Sequence, residues 1–362
     1  MFSKLVLTVY CLLTATVFCN AQHLRFSNLH LNADKIPCTP VKNQYLSSTC
    51  WSFASASLLE SELIKMSKGK ADISEMFIAR HSMQRKIERH LALKGGNFFT
   101  PGGQFHDVVW VMKHYGMMPE EIYSGKGRGE TNHNHSEMDT LLNHFVKNCI
   151  SKGITALSNT QQKYIDSILD HYYGKLPAKF IYKGKKYTPK TYLSQYLGIK
   201  PDDYAEITSY THHPFYTKFI LEDKYNWTGD AYYNVPLSDF ETITNAALDS
   251  GYTVGWDGDA EDDYFDYNEG LAYMPRPITD YQQARQQAFE DQTTLLDHMM
   301  HITGRTHSKE DTWYYIKNSW GNTSNQLNGF LYMRQDYFKI RTVAIIVNKK
   351  AIPGKIRKKM GL

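Results

Sequence analysis

The strongest constraint on this chain is the stretch Gln44-Tyr45-Leu46-Ser47-Ser48-Thr49-Cys50-Trp51, which sets a cysteine at the mouth of an apolar helical run. From Cys50 onward Trp51, Ala54, Leu58, Leu59, Leu63 and Met66 recur at helical spacing, and Gly69 is the expected C-cap. A thiol at a helix N-terminus meets unpaired backbone N–H groups and the positive end of the macrodipole, and both favour thiolate. Gln44 offers a side-chain amide that can donate to an oxyanion forming beside the sulfur, with the backbone N–H of Cys50 as the second donor. A merely structural cysteine would be a small buried apolar residue with no need of such partners.

A reactive thiol needs a base, and two imidazoles stand in Asp297-His298-Met299-Met300-His301-Ile302-Thr303-Gly304, where an acidic, Gln-rich helix gives way to a strand. Such an imidazole takes the thiol proton and later delivers it to the departing amine. On a strand His298 and His301 point to opposite faces, since three positions is an odd step in a period of two. Further on, Trp313 to Lys317 alternates as a strand and turns at Asn318-Ser319-Trp320-Gly321.

On these residues the chain resembles the papain-like cysteine peptidases. In that superfamily a Gln precedes Cys-Trp by the same interval, the histidine stands in an Asp-His-x-x-x-x-x-Gly frame, and Asn-Ser-Trp-Gly follows. The form Gln-x-x-Ser-Ser-x-Cys-Trp is similar to the bleomycin hydrolase and aminopeptidase C branch, as are Gly184-Lys185-Lys186-Tyr187-Thr188-Pro189 and Tyr232-Tyr233-Asn234-Val235-Pro236. The resemblance implies that Cys50 is the nucleophile, His298 its base and acid, Asn318 the residue orienting the imidazole, and Gln44 an oxyanion donor. Trp320 would shield the His–Asn bond and face the substrate. Adjacent glycines let a backbone run close to a peptide, and the resemblance assigns Gly102 and Gly103 to the residue before the scissile bond.

The implied fold is α+β, with a helical lobe carrying Cys50, a sheet lobe carrying His298 and Asn318, and the cleft between them. The implied reaction is peptide hydrolysis through a thioester, with no metal or organic cofactor. An aminopeptidase of the bleomycin hydrolase type comes first; an open-cleft endopeptidase and a non-catalytic peptide-binding relative are the alternatives. In that branch a C-terminal arm lies in the cleft and the chains form hexamers. Here the basic end Lys355 to Leu362 is shorter, which leaves the arm's role and a homo-oligomer open.

Met1 to Ala21 has a basic start at Lys4, an apolar run from Leu5 to Phe18 and a small-residue exit, the layout of a cleavable export signal. A secreted or periplasmic protein follows, with Gln22 as the first mature residue and lipidation at Cys19 as the lesser option. The 28 residues from Gln22 through Thr49 are too few for a folded propeptide. A formal net charge of +4 gives no electrostatic case for nucleic acid, and no later segment is apolar enough to cross a membrane.

Residues 22–362 read as one peptidase domain, with an insertion from about 125 to 236 that separates Cys50 from His298 by more than the roughly 130 to 150 positions of the papain signature. The insertion reads as mostly helical, with helices from Ser136, Thr160 and Pro189 and a strand at Lys179 to Lys183. His133, His135, His212 and His213 lack acidic or Cys ligands at metal spacing and read as solvated loop residues. The acids from Asp257 to Asp266 lack the glycine and terminal glutamate of an EF-hand. They read as a solvated loop that would attract cationic peptides or a free α-amino group if it borders the cleft. Cys38 and Cys149 could pair in an oxidising compartment.

Overall fold

The structure, a computed structural model, describes residues 23–127, 129–308 and 311–362. The expected export signal lies outside the described residues. Helix α1 (Cys50–Lys65) contains neither Gly nor Pro and is buried almost all round, from Trp51 through Leu63. A helix with no solvent face belongs at the centre of a molecule. Its end comes earlier than Gly69: Ser67 takes the left-handed conformation, and Lys68 N–H returns to the Leu63 carbonyl at 2.9 Å. Around α1 pack α2 (Glu75–Ala92), capped by the Ser74 hydroxyl on Phe77 N–H, and α3 (Phe105–His114). The helices α4 (Ser136–Ser151) and α5 (Asn159–Tyr173) complete this lobe.

The strands are β1 (Asp34–Lys35), the hairpin β2 (Phe180–Tyr182) and β3 (Lys185–Tyr187), then β4 (Tyr204–Thr208), β5 (Lys218–Ile220), β6 (Ala231–Asn234) and β7 (Val254–Gly258). After them come β8 (Phe265–Asp266), β9 (Leu271–Ala272), β10 (His298–Ser308), β11 (Asp311–Lys317), β12 (Phe330–Arg334) and β13 (Thr342–Asn348). The main sheet runs β5-β6-β4-β13-β7-β10-β11-β12-β9-β8, with β1 on β10. Between these lie α6 (Pro189–Thr191), which continues as a π-turn, then α7 (Leu237–Asp249), α8 (Tyr281–Glu290), α9 (Gln335–Arg341) and α10 (Gly354–Lys359). The expected α+β, two-lobe arrangement is what forms.

Alternation along the central strands separates two cores. Met299 and Ile346 face the helical lobe, while Met300, Ile302, Trp256, Ile345 and Val347 face a second core shared with α7, α9 and α10. Gly304, the glycine of the Asp-His frame, is where β1 crosses β10; a Cβ there would stand 2.3 Å from the Asp34 carbonyl oxygen.

The insertion is helical only in part. α4 and α5 form as expected, but β4, β5 and β6 enter the main sheet through β13, so the later third of the insertion is woven into the fold. Tyr204, Ala205, Ile207 and Thr208 are all buried, and it is pairing on β13 that selects strand there. The insertion also touches the nucleophile's loop: His135, before α4, donates its N–H to the Leu46 carbonyl at 3.1 Å.

The last residues, 354–362, lie outside the cleft. Ile356 and Met360 pack into the core on the far face of the sheet from Cys50, and Lys359 lies by Tyr216 and Asp239. The free thiols of Cys38 and Cys149 are also unpaired.

One buried charge cluster ties the segment before Cys50 to the helices. Lys42 Nζ donates to Asp72 at 2.5 Å and to the buried Glu75 at 2.6 Å, and Glu60 lies 4.0 Å away. Burial pushes the Glu60 carboxyl up to about 7, while the surrounding carboxylates hold the Lys42 ammonium above its usual value. Removing the cation leaves carboxylates buried and unpaired. We expect Lys42→Met to cost about 3–5 kcal/mol near pH 8. Because Glu60 in the fold takes its proton at higher pH than an unfolded carboxyl, the loss should shrink as pH falls to 5. Urea unfolding at the two pH values measures this; an equal loss at both would contradict it.

Candidate active site

Cys50 is the first residue of α1, so its own N–H and that of Trp51 have no intrahelical acceptor. The preceding turn is contorted, with Tyr45 and Ser48 at φ 48° and 51°. His298 is the first residue of β10, opposite Gly258 of β7. The two elements meet: the Cys50 sulfur takes hydrogen bonds from the backbones of Met299, the residue after His298, and of Trp51.

His298 Nε2 and Asn318 Oδ1 are 2.7 Å apart. The amide oxygen also accepts from Ser319 N–H at 2.7 Å, which makes it an acceptor and the imidazole nitrogen a donor. That assigns the His298 proton to Nε2 and leaves Nδ1 as the base. The Trp320 ring lies 4.7 Å from the imidazole, over the same bond. Gln44 is tied to this turn by its N–H to the Ser319 carbonyl at 2.8 Å and by Ser319 Oγ donating to its Oε1 at 2.6 Å. With Oε1 held, the Nε2 end is left to donate. The structure thus brings together Gln44, Cys50, His298, Asn318 and Trp320. The rival His301 points to α1 two turns beyond Cys50, where Ser57 Oγ lies 2.8 Å from its Nδ1, beside Lys317 in a buried polar pocket.

The helix N-terminus does not by itself produce the expected thiolate. Burial pushes the Cys50 thiol up to about 12, reinforced by Asp257 and Asp297 and opposed by the N–H groups of Met299 and Trp51. Burial also takes His298 down to about 4, against the Asn318 bond. Each charge alone is disfavoured, so over the neutral range the sulfur keeps its proton and the imidazole stays neutral until a substrate is attacked.

The glycine turn sits against α1, with Trp51 Nε1 donating to the Pro101 carbonyl at 3.0 Å. The Gly102 carbonyl is already taken by the Lys86 ammonium, which also binds the Thr100 carbonyl. Gly103 keeps both backbone groups without a partner among the described residues, and a Cβ there would lie 2.8 Å from the Trp51 ring. Lys86 and Tyr225, whose ring covers Gly102, are cleft residues that the sequence left unmarked. Only the Lys86 position on a buried helix face could have signalled it.

The histidines of the insertion are not free metal donors. His133 and His135 are buried, not solvated, and burial holds both neutral. In space Glu222 joins His212 and His213, at 3.2 and 2.6 Å from their Nε2 atoms. Gln286 decides the tautomer: its Oε1 accepts from Thr211 N–H, and its Nε2 donates to Glu290 and to His212 Nδ1. His212 therefore carries its proton on Nε2 and gives it to Glu222, the opposite of what a metal at Nε2 needs. The trio fits a hydrogen-bond relay and does not fit a metal site.

A profile of the Peptidase C1-like family matches residues 75–361. The chain belongs to that family. It is accordingly a cysteine peptidase, and the resemblance to the papain-like peptidases holds. The matched span contains His298 and Asn318, while Gln44 and Cys50 precede it. Aminopeptidase C of Streptococcus thermophilus is 22% identical over 364 residues, covering 85% of this chain and 80% of the relative. Cysteine proteinase 1, mitochondrial, of Saccharomyces cerevisiae is 23% identical over 374 residues, covering 89% and 77%. The crystal structure of PepW from Lactobacillus rhamnosis superposes with a TM-score of 0.70 at 18% identity, over 92% of this chain and 86% of that one, which shows a common fold.

The proton arrangement predicts how Cys50 reacts with iodoacetamide, followed by peptide mass spectrometry. Alkylation should persist down to about pH 5, because the protonation that removes the base occurs only near 4. In His298→Ala the half-buried thiol must ionise alone, and alkylation at pH 6 should slow by roughly 100-fold or more. An unchanged rate would show that the imidazole does not take the thiol proton.

Proposed function

We propose that this cysteine peptidase is an aminopeptidase of the bleomycin hydrolase type, with Cys50 as nucleophile, His298 as base and acid, Asn318 as the orienting residue and Gln44 as oxyanion donor. The observation that carries the assignment is the His298–Asn318 hydrogen bond, which fixes the proton on Nε2 and leaves Nδ1 as the base beside the Met299 backbone that meets the Cys50 sulfur. The names of its relatives, aminopeptidases C, G and W, support the exopeptidase part.

The steps follow from the donors present. Nδ1 takes the thiol proton as sulfur attacks the carbonyl carbon, and negative charge gathers on oxygen facing Gln44 Nε2 and the Cys50 N–H. The C–N bond breaks as the imidazolium gives its proton to the amine, leaving a thioester. Water then attacks, giving one proton to Nδ1; the carboxylic acid leaves and the thiol recovers its proton. Asn318 keeps the imidazole from turning between these transfers.

An amino acid p-nitroanilide with a free amine should be hydrolysed at least roughly tenfold faster than its N-acetylated form, a gap of one tenfold step in transition-state binding. Equal or faster turnover of the acetylated substrate would make the enzyme an endopeptidase. Cys50→Ala should abolish both. Export is part of the proposal and rests on the Met1 to Ala21 layout. Sequencing of protein recovered from the medium or periplasm should begin at Gln22; retention in the cytoplasm would remove it.

A further inference from the structure

An enzyme that selects a free amino terminus needs an anion to meet it, and residues 354–362 lie behind the sheet, away from Cys50. We propose that Asp257, with Asp297 beside it, is that anion, and that the pair forms a pocket in the cleft for the substrate's α-ammonium group. The proposal rests on the aminopeptidase reading and names its anchor.

Asp257 stands on β7 directly opposite Met299 of β10. Opposed residues of an antiparallel pair project from the same face. Met299 faces the helical lobe and holds the Cys50 sulfur through its backbone, so the Asp257 side chain lies on the Cys50 face as well. It is 3% exposed and receives no hydrogen bond from any described residue. Buried carboxylates are normally paired or hydrogen-bonded, which marks this one as waiting for a partner.

Acids dominate its surroundings among the described residues: Glu206, Asp223 and Asp297 all lie within its field, and His106, a positive group in that field, is committed to Glu206 at 3.0 Å. Asp297 has one oxygen bound by Ala260 N–H at 2.9 Å, while its buried Oδ2 has no partner. Asp259 and Asp262 of the same loop are engaged while Glu261 and Asp263 are exposed, so the expectation of a solvated acidic loop holds only in part. Asp259 accepts from the N–H groups of Glu261, Asp262 and Leu295, and Asp262 pairs with Arg341 at 2.7 Å. Tyr225 covers Gly102 and lies within the fields of Cys50, Asp223 and Asp297, so the pocket opens on the side of the glycine turn. An ammonium, with three donors and a positive charge, supplies what these two carboxylates lack. An acetylated terminus supplies neither.

L-leucinamide and N-acetyl-L-leucinamide separate the cases as protectants of Cys50 against iodoacetamide. Wild type should be protected by leucinamide and not by the acetylated amide. Asp257→Asn should need a concentration higher by roughly 30-fold or more for the same protection, and Asp297→Asn should show a smaller shift in the same direction. Since the Asp257 carboxylate holds no hydrogen bond, the thermal midpoint of Asp257→Asn should not fall. Unchanged protection in both variants, or a lowered midpoint with protection intact, would overturn the proposal. Failure of the aminopeptidase reading is seen separately, in wild type alone, as rapid turnover of the acetylated p-nitroanilide.

Discussion

Everything chemical in this molecule depends on one contact between lobes, where the first turn of α1 meets the first residues of β10. Nearly 250 positions of chain separate Cys50 from His298, yet the sulfur is held by the peptide immediately after the imidazole. The sheet makes this durable. β10 is clamped between β7 and β11, and its Met299 side chain is part of the same core as α1. Neither catalytic group can move without disturbing a packed interior.

Much of the site was legible because each residue type has a chemical reason to stand at its spacing. A thiol at a helix mouth, an amide upstream of it, an imidazole at the head of a strand and an amide at a turn form a set whose members explain one another. Strand parity separated His298 from His301 without coordinates. Asp257 could not be picked out the same way. In sequence it is one of six acids, and only the register against Met299 distinguishes the buried, unpartnered carboxylate from Asp259 and Asp262, which serve the loop. Lys86 and Tyr225 join the cleft from elements far away in the chain. Such tertiary meetings leave no local mark.

The fold was legible to a similar degree and failed for similar reasons. Helices with clear caps, such as the one opened by Ser74, form where periodicity puts them. The strands β4, β5 and β6 are short and flanked by polar residues, and pairing on a distant strand outweighs their local preferences. Burial also overrode a local rule at Cys50. The helix N-terminus favours thiolate, but removal from water disfavours any lone charge, and the result is a neutral thiol and a neutral imidazole at rest.

The bond from His135 to the Leu46 carbonyl joins the foot of α4 to the loop that carries Gln44 and Cys50. Alignment of the oxyanion donors is thereby coupled to a helix that the insertion adds to the helical lobe. Warming that loosens α4 alone would idle the enzyme while its central sheet is still intact, so inactivation would precede melting.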